Sequence, residues 1–222
     1  MIPQDEAQRI AATAMSSILS EHQIAHAFIG GFAVATLGHS RATIDIDVEI
    51  DVANISELRG RVRQLLTESD ARFSVQHAKL FFTPAPTDHP DSRVTIETLP
   101  IGELGLPRRL AVIWPNDGTI PVLHPGLLIL TKIKRCAQLI GSTRPRSVAK
   151  FHSDLSDITF LLGWLAEHDE KVDFAGYASL TPERLYTTTK DLVRHWKDTG
   201  NGETVHLIVS VLEDDDRRKI MD

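Results

Sequence analysis

The sequence predicts an α/β (α+β) fold, with a mixed β-sheet and flanking helices over residues 1–123 and a helical bundle over residues 124–222. The first observation is that short apolar strands alternate with helical segments up to about residue 123. The second is that the rest of the chain has only helical spacing of its apolar residues. The third is size: 222 residues, 42% of them hydrophobic, provide enough core for one large domain or two small ones.

In the first half, apolar residues at three- and four-residue spacing predict helices, and period-two alternation predicts strands. We expect helices over residues 7–19, 32–37 and 54–68, and strands over residues 24–29, 43–50, 73–76, 79–83 and 93–99. Ser56 is a suitable cap for the third helix. Three prolines make the segment Pro84–Asp91 a loop. Residues 110–114 and 119–123 flank a Pro-Asn-Asp-Gly turn, which predicts a hairpin.

In the second half, helical spacing returns four times without any strand pattern. We expect helices over residues 125–140, 147–166, 181–197 and 203–214. The Gly-Ser-Thr-Arg-Pro-Arg segment over 141–146 is predicted to be a loop between helices.

The bulk composition excludes several classes of protein. The single cysteine, Cys136, rules out an intrachain disulfide and fits a reducing compartment; it is predicted to be a core residue. A net charge of −6 argues against a protein that coats nucleic acid nonspecifically. No apolar stretch approaches the ~20 residues of a membrane span. Early acidic residues and the lack of a long apolar run do not resemble a signal peptide, so we expect a cytoplasmic protein.

The strand over residues 43–50 alternates between aliphatic and acidic side chains, which therefore lie on opposite faces. The strand rise places neighbouring carboxylates roughly 6–7 Å apart. Inside a cleft such crowding favours a divalent cation such as Mg²⁺. The alternative is an edge strand with its charged face in water. The aliphatic set is Ile44, Ile46, Val48 and Ile50, and the acidic set is Asp45, Asp47, Glu49 and Asp51.

A glycine pair, Gly30-Gly31, opens the helix that precedes this strand. Glycines at such a turn expose backbone N–H groups to which phosphate can bind; the alternative is a plain tight turn. About fourteen residues separate the pair from the acidic strand. One strand–helix–strand unit can therefore bring the two features, with Arg41 and Thr43 between them, into one cleft.

Gly30-Gly31 followed by Arg41-Ala-Thr-Ile-Asp45-Ile-Asp47 resembles the signature of the DNA polymerase β-like nucleotidyltransferase superfamily. The sequence is most similar to the branch of minimal nucleotidyltransferases and abortive-infection (AbiEii-like) toxins. This resemblance implies a nucleotidyltransferase mixed sheet. It also implies that the glycine turn, with Arg41 and Thr43, holds a nucleoside triphosphate, and that Asp45 and Asp47 bind Mg²⁺ or Mn²⁺.

Glu97, on the strand over residues 93–99, is the candidate for a third carboxylate. It is expected to act as the general base or as a further metal ligand. The family more often has Asp at this point, and the alternative is an exposed strand glutamate.

Lys132 lies on a mainly apolar face of the helix predicted over residues 125–140. A lysine in such a place needs a group that offsets its positive charge. A triphosphate is one suitable partner; a lysine that extends from the edge of the core is the alternative. The abortive-infection branch carries a Lys on this helix and an Asp on the next. Asp154 and Asp157 are the candidates for that Asp, with Asp154 preferred, and solvated helix charge is the alternative for both.

These residues together predict a Mg²⁺-dependent nucleotidyltransferase that binds its nucleotide between the two halves. It would transfer a nucleoside monophosphate from a triphosphate to an unidentified hydroxyl acceptor, either a small molecule or tRNA. One alternative is a toxin or defence enzyme that modifies tRNA, and the other is a catalytically inactive nucleotide-binding protein. The tRNA alternative needs a basic groove, for which the candidates are Arg108, Arg109, Lys134, Arg135, Arg144 and Arg146.

Overall fold

The computed structural model describes residues 2–84 and 93–222. The predicted loop over Pro84–Asp91 lies outside the described residues from residue 85 onward. The chain divides into two compact units. One contains Met1–Leu104 and Leu110–Leu123, and the other contains Gly105–Arg109 and His124–Asp222.

The first unit is built on a seven-stranded mixed sheet with the order β3-β4-β5-β2-β1-β7-β6. β2 pairs in parallel with β5, and β1 pairs in parallel with β7, while the other pairings are antiparallel. The strands are β1 (His26–Ile29), β2 (Asp45–Ile50), β3 (Phe73–Gln76), β4 (Lys79–Phe82), β5 (Val94–Pro100), β6 (Val112–Ile113) and β7 (Val122–Leu123).

Four helices accompany this sheet in the described part of the unit. They are α1 (Gln4–Glu21), α2 (Gly30–Thr36), α3 (Ile55–Glu57) and α4 (Arg63–Ser69). A π-helical turn over Leu58–Val62 joins α3 to α4, so that the predicted helix over 54–68 forms as one run with a widened middle turn. Asn54, not Ser56, caps this run: its side-chain oxygen accepts hydrogen bonds from the backbone N–H groups of Ser56 and Glu57, at 2.9 and 3.0 Å.

β2 lies between β1 and β5 in the interior of the sheet, so the alternative of an edge strand is wrong. Ile46, Val48 and Ile50 are fully buried, as their alternation predicts. Ile44 is 81% exposed, because the strand begins only at Asp45; its predicted place on one strand face with the other three aliphatic residues is wrong. On the acidic face Glu49 is fully buried and accepts a hydrogen bond from the backbone N–H of Gly102 at 2.9 Å.

The second unit is helical, with α5 (Pro125–Ala137), α6 (Pro145–Glu167), α7 (Pro182–Asp198), α8 (Gly202–Ser210) and α9 (Asp214–Met221). Proline occupies the first turn of α5, α6 and α7, where its missing N–H costs no hydrogen bond. The predicted single helix over 203–214 is wrong: α8 ends at Ser210, and a new helix begins at three aspartates that suit a helix N-terminus. Among the described residues, no helix combines the length and apolarity needed to cross a bilayer.

Candidate functional site

The glycine turn follows β1 directly. Gly30 has φ +69°, a left-handed backbone conformation that favours glycine. A methyl group placed on Gly30 would overlap Oδ2 of Asp47. The register of the sheet explains the closeness, since Asp47 on β2 pairs with Ile29 at the end of β1. The carboxylate of Asp47 therefore lies against the backbone of the turn.

Gly31 is covered by the segment that leads into β2. A methyl group on Gly31 would lie 2.9 Å from Nη2 of Arg41 and 3.1 Å from Oγ1 of Thr43. The backbone carbonyl of Thr43 accepts a hydrogen bond at 3.1 Å from Nε2 of Gln8, a nearly buried residue of α1. The sequence offered no signal for Gln8, because this contact joins residues that are far apart in the chain.

Thr43 also connects this segment to Asp45. Its hydroxyl is within hydrogen-bonding distance of the backbone oxygen and of Oδ1 of Asp45, at 3.2 and 3.4 Å. Asp45 and Asp47 are both half-buried and share one face of β2. The six residues predicted around the turn (Gly30, Gly31, Arg41, Thr43, Asp45 and Asp47) are thus close together in the first unit.

Glu97 lies on β5 as the register partner of Asp47, so the two residues share a face of the sheet. The Glu97 side chain is exposed, whereas Asp47 contacts the glycine turn. Within residues 2–84 and 93–222, no three or more His, Cys, Asp or Glu side chains are arranged to hold a metal ion. The predicted three-carboxylate set is therefore not assembled as a metal cage.

Two carboxylates nevertheless fit the way in which Mg²⁺ is usually held. Mg²⁺ keeps several waters and binds one or two protein carboxylates together with substrate phosphates. Asp45 and Asp47 supply such a pair of hard oxygen donors beside a turn whose N–H groups suit phosphate. The donor set is compatible with a magnesium–phosphate complex and not with an all-protein magnesium site.

In the second unit, Lys132 is a member of a buried ion pair. Its Nζ lies 2.7 Å from Oδ2 of Asp157, and the exposed fractions of the two side chains are 2% and 0%. Burial lowers the pKa of Lys132, and the charge of Asp157 opposes that shift. The predicted preference for Asp154 as the partner is wrong, because α6 directs Asp157 to Lys132.

Asp154 is buried and bound by Arg135 instead. The guanidinium Nε donates to Oδ2 at 2.7 Å, and Nη2 donates to Oδ1 at 2.5 Å. Neighbouring Cys136 is fully buried, which confirms it as a core residue; burial and the charge of Asp154 raise the pKa of its thiol to about 12. The α5–α6 contact thus uses both predicted aspartates as internal partners of cations.

The predicted basic groove is only partly available for binding. Lys134 donates a hydrogen bond to the backbone carbonyl of Gly105, and Arg135 holds Asp154. Arg135 is nevertheless exposed, as are the four other candidates: Arg108, Arg109, Arg144 and Arg146.

Comparison with known proteins shows a likeness of fold but no relative by sequence. No protein-family model matches the chain, and no curated protein matches it. Among solved structures, the chain is similar to the crystal structure of an antigenic nucleotidyltransferase-like protein from Paracoccidioides brasiliensis. The two share 18% sequence identity, with a TM-score of 0.64 over 91% of this chain and 92% of the other. The chain therefore has a nucleotidyltransferase-like fold.

Proposed function

We propose that this protein is a Mg²⁺-dependent nucleotidyltransferase that transfers a nucleoside monophosphate from a nucleoside triphosphate to a hydroxyl acceptor. The observation that carries the proposal is the contact between the Asp47 carboxylate and the Gly30 turn. A carboxylate beside backbone groups suited to phosphate supports a site for a metal–triphosphate complex. The likeness of fold supports the same reaction class.

Several residues around the turn would bind the triphosphate, each through a different group. The backbone N–H groups of Gly30 and Gly31 would bind phosphate oxygens. The guanidinium of Arg41 lies beside Gly31 and would bind a phosphate through a pair of hydrogen bonds. Thr43 supports Asp45 through its hydroxyl group.

Asp45 and Asp47 would hold Mg²⁺ against the phosphates. When bound, the metal neutralises charge on the triphosphate during an in-line displacement. In the reaction, an acceptor oxygen forms a bond to the α-phosphorus, the bond from that phosphorus to the bridging oxygen breaks, and pyrophosphate leaves. Glu97, exposed on the strand next to Asp47, would take the acceptor proton.

We leave Lys132 and Asp154 out of this site. Each is buried in an ion pair within the helical unit, Lys132 with Asp157 and Asp154 with Arg135. Both pairs are consistent with packing of α5 against α6, and neither needs a nucleotide as partner.

The exposure of Glu97 favours a second candidate, a nucleotide-binding protein without transferase activity. A general base has to be held within hydrogen-bond reach of the proton that it removes. Glu97 has one more rotatable bond than the Asp that is more usual in the family, and its side chain extends into solvent. In this case the protein would bind the triphosphate and release no pyrophosphate.

Two measurements separate the candidates. Calorimetric titration with each of the four nucleoside triphosphates, with and without Mg²⁺, tests binding. Pyrophosphate release from the same samples after addition of hydroxyl acceptors, tRNA and glycerol among them, tests turnover, because the reaction needs an acceptor oxygen. Metal-dependent binding with release supports the transferase, and binding without release supports the inactive protein. Failure of all four triphosphates to bind would exclude both the transferase and the inactive nucleotide-binding protein.

Incubation with an α-labelled nucleoside triphosphate and purified tRNA tests the tRNA-modifying alternative. Transfer of label to tRNA would identify that acceptor, and its position would be read from the labelled end. Absence of label with all four triphosphates, in samples that release pyrophosphate, would favour a small-molecule acceptor.

A further inference from the structure

A cavity of about 840 Å³ lies in the first unit, next to the glycine turn but outside it. Its walls are the first turns of α1, one side of α2, the segment over residues 38–43 and the segment over residues 115–120. Arg41 and Thr43 line it and also cover Gly31. The cavity volume is within the range of about 300–1,000 Å³ found for small-molecule pockets.

The inner wall of this cavity is mostly apolar. Phe32 and Ala35 line it from α2, and Pro115 and Ile120 line it from the segment over residues 115–120. Nδ2 of Asn116 donates a hydrogen bond at 3.0 Å to the backbone carbonyl of Thr36, which fastens the hairpin turn to the end of α2. This hydrogen bond joins the two segments that form these walls.

The charges that line the cavity are unevenly distributed. Three carboxylates line it, from Asp5, Glu6 and Asp117, against the guanidinium groups of Arg9 and Arg41. Arg41 lies on Gly31, facing the glycine turn. Hydrogen bonds from Thr119, aided by the charge of Arg9, keep the pKa of Asp117 below its ordinary value. On α1, the exposed carboxylates of Asp5 and Glu6 outnumber the exposed guanidinium of Arg9, so the charged side chains that α1 contributes to the cavity have a net charge of −1.

We propose that this cavity binds a small molecule with an apolar, ring-sized body and a cationic group. The apolar body would contact Phe32, Ala35 and Ile120, and the cation would lie near Asp5 and Glu6. The cavity adjoins the triphosphate site proposed above and shares Arg41 and Thr43 with it, but the residues expected to contact the apolar body and the cation are not assigned to the triphosphate. Polyanionic ligands such as nucleic acid would be repelled by the acidic side of the cavity.

Three probes that share one ring and differ in charge test this directly. Benzylamine carries a positive charge at neutral pH, benzyl alcohol has none, and benzoate carries a negative charge. In ligand-observed NMR titrations of the full chain at low ionic strength, benzylamine is expected to bind best, at least about fivefold more tightly than benzoate. Added salt is expected to reduce this preference, because both carboxylates are exposed.

Two variants locate the binding. Ala35→Phe fills the cavity and is expected to abolish binding of all three probes, whereas Ala14→Phe, at a half-buried alanine of α1 outside the cavity, is the matched control. Asp5→Asn combined with Glu6→Gln is expected to remove the preference for benzylamine over benzoate and to leave benzyl alcohol binding unchanged.

Benzoate binding as tight as benzylamine binding would overturn the proposal, as would failure of every probe to bind. Unchanged benzylamine affinity in a folded Ala35→Phe variant would also overturn it. Should that variant not fold, the Asp5→Asn, Glu6→Gln variant still decides whether the acidic side selects the cation. None of these readouts uses a nucleotide, so failure here is distinct from failure of the proposed transferase.

Discussion

The carboxylate of Asp47 lies against the α-carbon of Gly30, so closely that a methyl group there would overlap Oδ2. This contact joins two residues that are seventeen positions apart in the chain. It depends on the antiparallel register that pairs Asp47 with Ile29, the last residue of β1. The glycine turn and the acidic strand thus form one local structure within the first unit.

Replacing Gly30 with alanine is expected to disturb this structure in two ways. A non-glycine residue at positive φ costs about 1–2 kcal/mol in unfolding free energy, and the new methyl group would displace Asp47. Gly38→Ala is the matched control, because Gly38 also has positive φ, +109°, but a methyl group there meets nothing within 4 Å.

Denaturant unfolding and calorimetric binding of a nucleoside triphosphate with Mg²⁺ separate the two effects. Both variants are expected to lose stability, and only Gly30→Ala is expected to lose at least tenfold in nucleotide affinity. Equal affinities for the two variants would show that the contact with Asp47 does not matter for binding.

The buried ion pair between Lys132 and Asp157 leads to a prediction about stability. Lys132→Met leaves a buried carboxylate without its cation, which is expected to cost about 3–5 kcal/mol in unfolding free energy. Lys197→Met, at an exposed lysine of α7, should change stability by no more than about 0.5 kcal/mol.

The double variant Lys132→Met, Asp157→Leu removes both charges and should recover much of the loss, since an apolar pair can replace a buried ion pair. Chemical denaturation of the three variants measures these differences. A loss of under about 1 kcal/mol for Lys132→Met would mean that the pair is solvated in solution.

The cap of α3 gives a direct comparison of two neighbouring residues. Asn54→Ala removes the acceptor of two backbone hydrogen bonds and is expected to destabilise the protein by about 1 kcal/mol. Ser56→Ala should have little effect, because the Ser56 side chain does not cap the helix. Thermal denaturation of both variants measures the difference, and a larger loss for Ser56→Ala would contradict the structure.

His26 is expected to make stability depend on pH. The side chain is buried; Nδ1 donates to the backbone oxygen of Ile24 at 3.0 Å, and Nε2 lies 3.1 Å from Oγ of Ser16. Burial lowers the pKa of His26, and the hydrogen bond to Ile24 opposes that shift. The unfolded chain therefore takes up a proton at higher pH than the folded protein does.

Since the unfolded state binds the proton first, the free energy of unfolding should fall as pH drops through about 6.5, the ordinary value for histidine. Urea unfolding at pH 7.5 and 5.5 measures the fall, which should be smaller in His26→Gln than in the wild type. His22→Gln, at an exposed histidine, serves as control. An identical fall in wild type and His26→Gln would contradict this account.

The sequence predicted most of the first unit because its signals are local. The alternation in Asp45–Ile50 and the glycine pair at 30–31 each depend on neighbouring residues, and both elements form within two residues of the predicted bounds. The buried place of Glu49 was not predictable, since its partner, the backbone N–H of Gly102, is fifty-three residues away.

In the second unit, the sequence did not show which aspartate of α6 pairs with Lys132. Asp154 and Asp157 are three positions apart and share one side of α6, so spacing alone does not distinguish them. The choice depends on the alignment of α5 with α6, which opposes Lys132 to Asp157 and Arg135 to Asp154. The sequence predicted one helix where α8 and α9 form two. The break between them, Val211–Glu213, is only three residues long, so it hardly changes the helical spacing of apolar residues in the sequence.

The most direct test of the central claim is calorimetric titration of Mg²⁺ with a nucleoside triphosphate into the wild type, Asp47→Asn and Asp51→Asn. Asp51 is exposed and lies just past the end of β2, so its variant controls for loss of one negative charge. The account predicts that Asp47→Asn weakens metal-dependent binding at least tenfold while Asp51→Asn binds like the wild type. Equal binding by all three proteins would contradict a nucleotide site at the glycine turn.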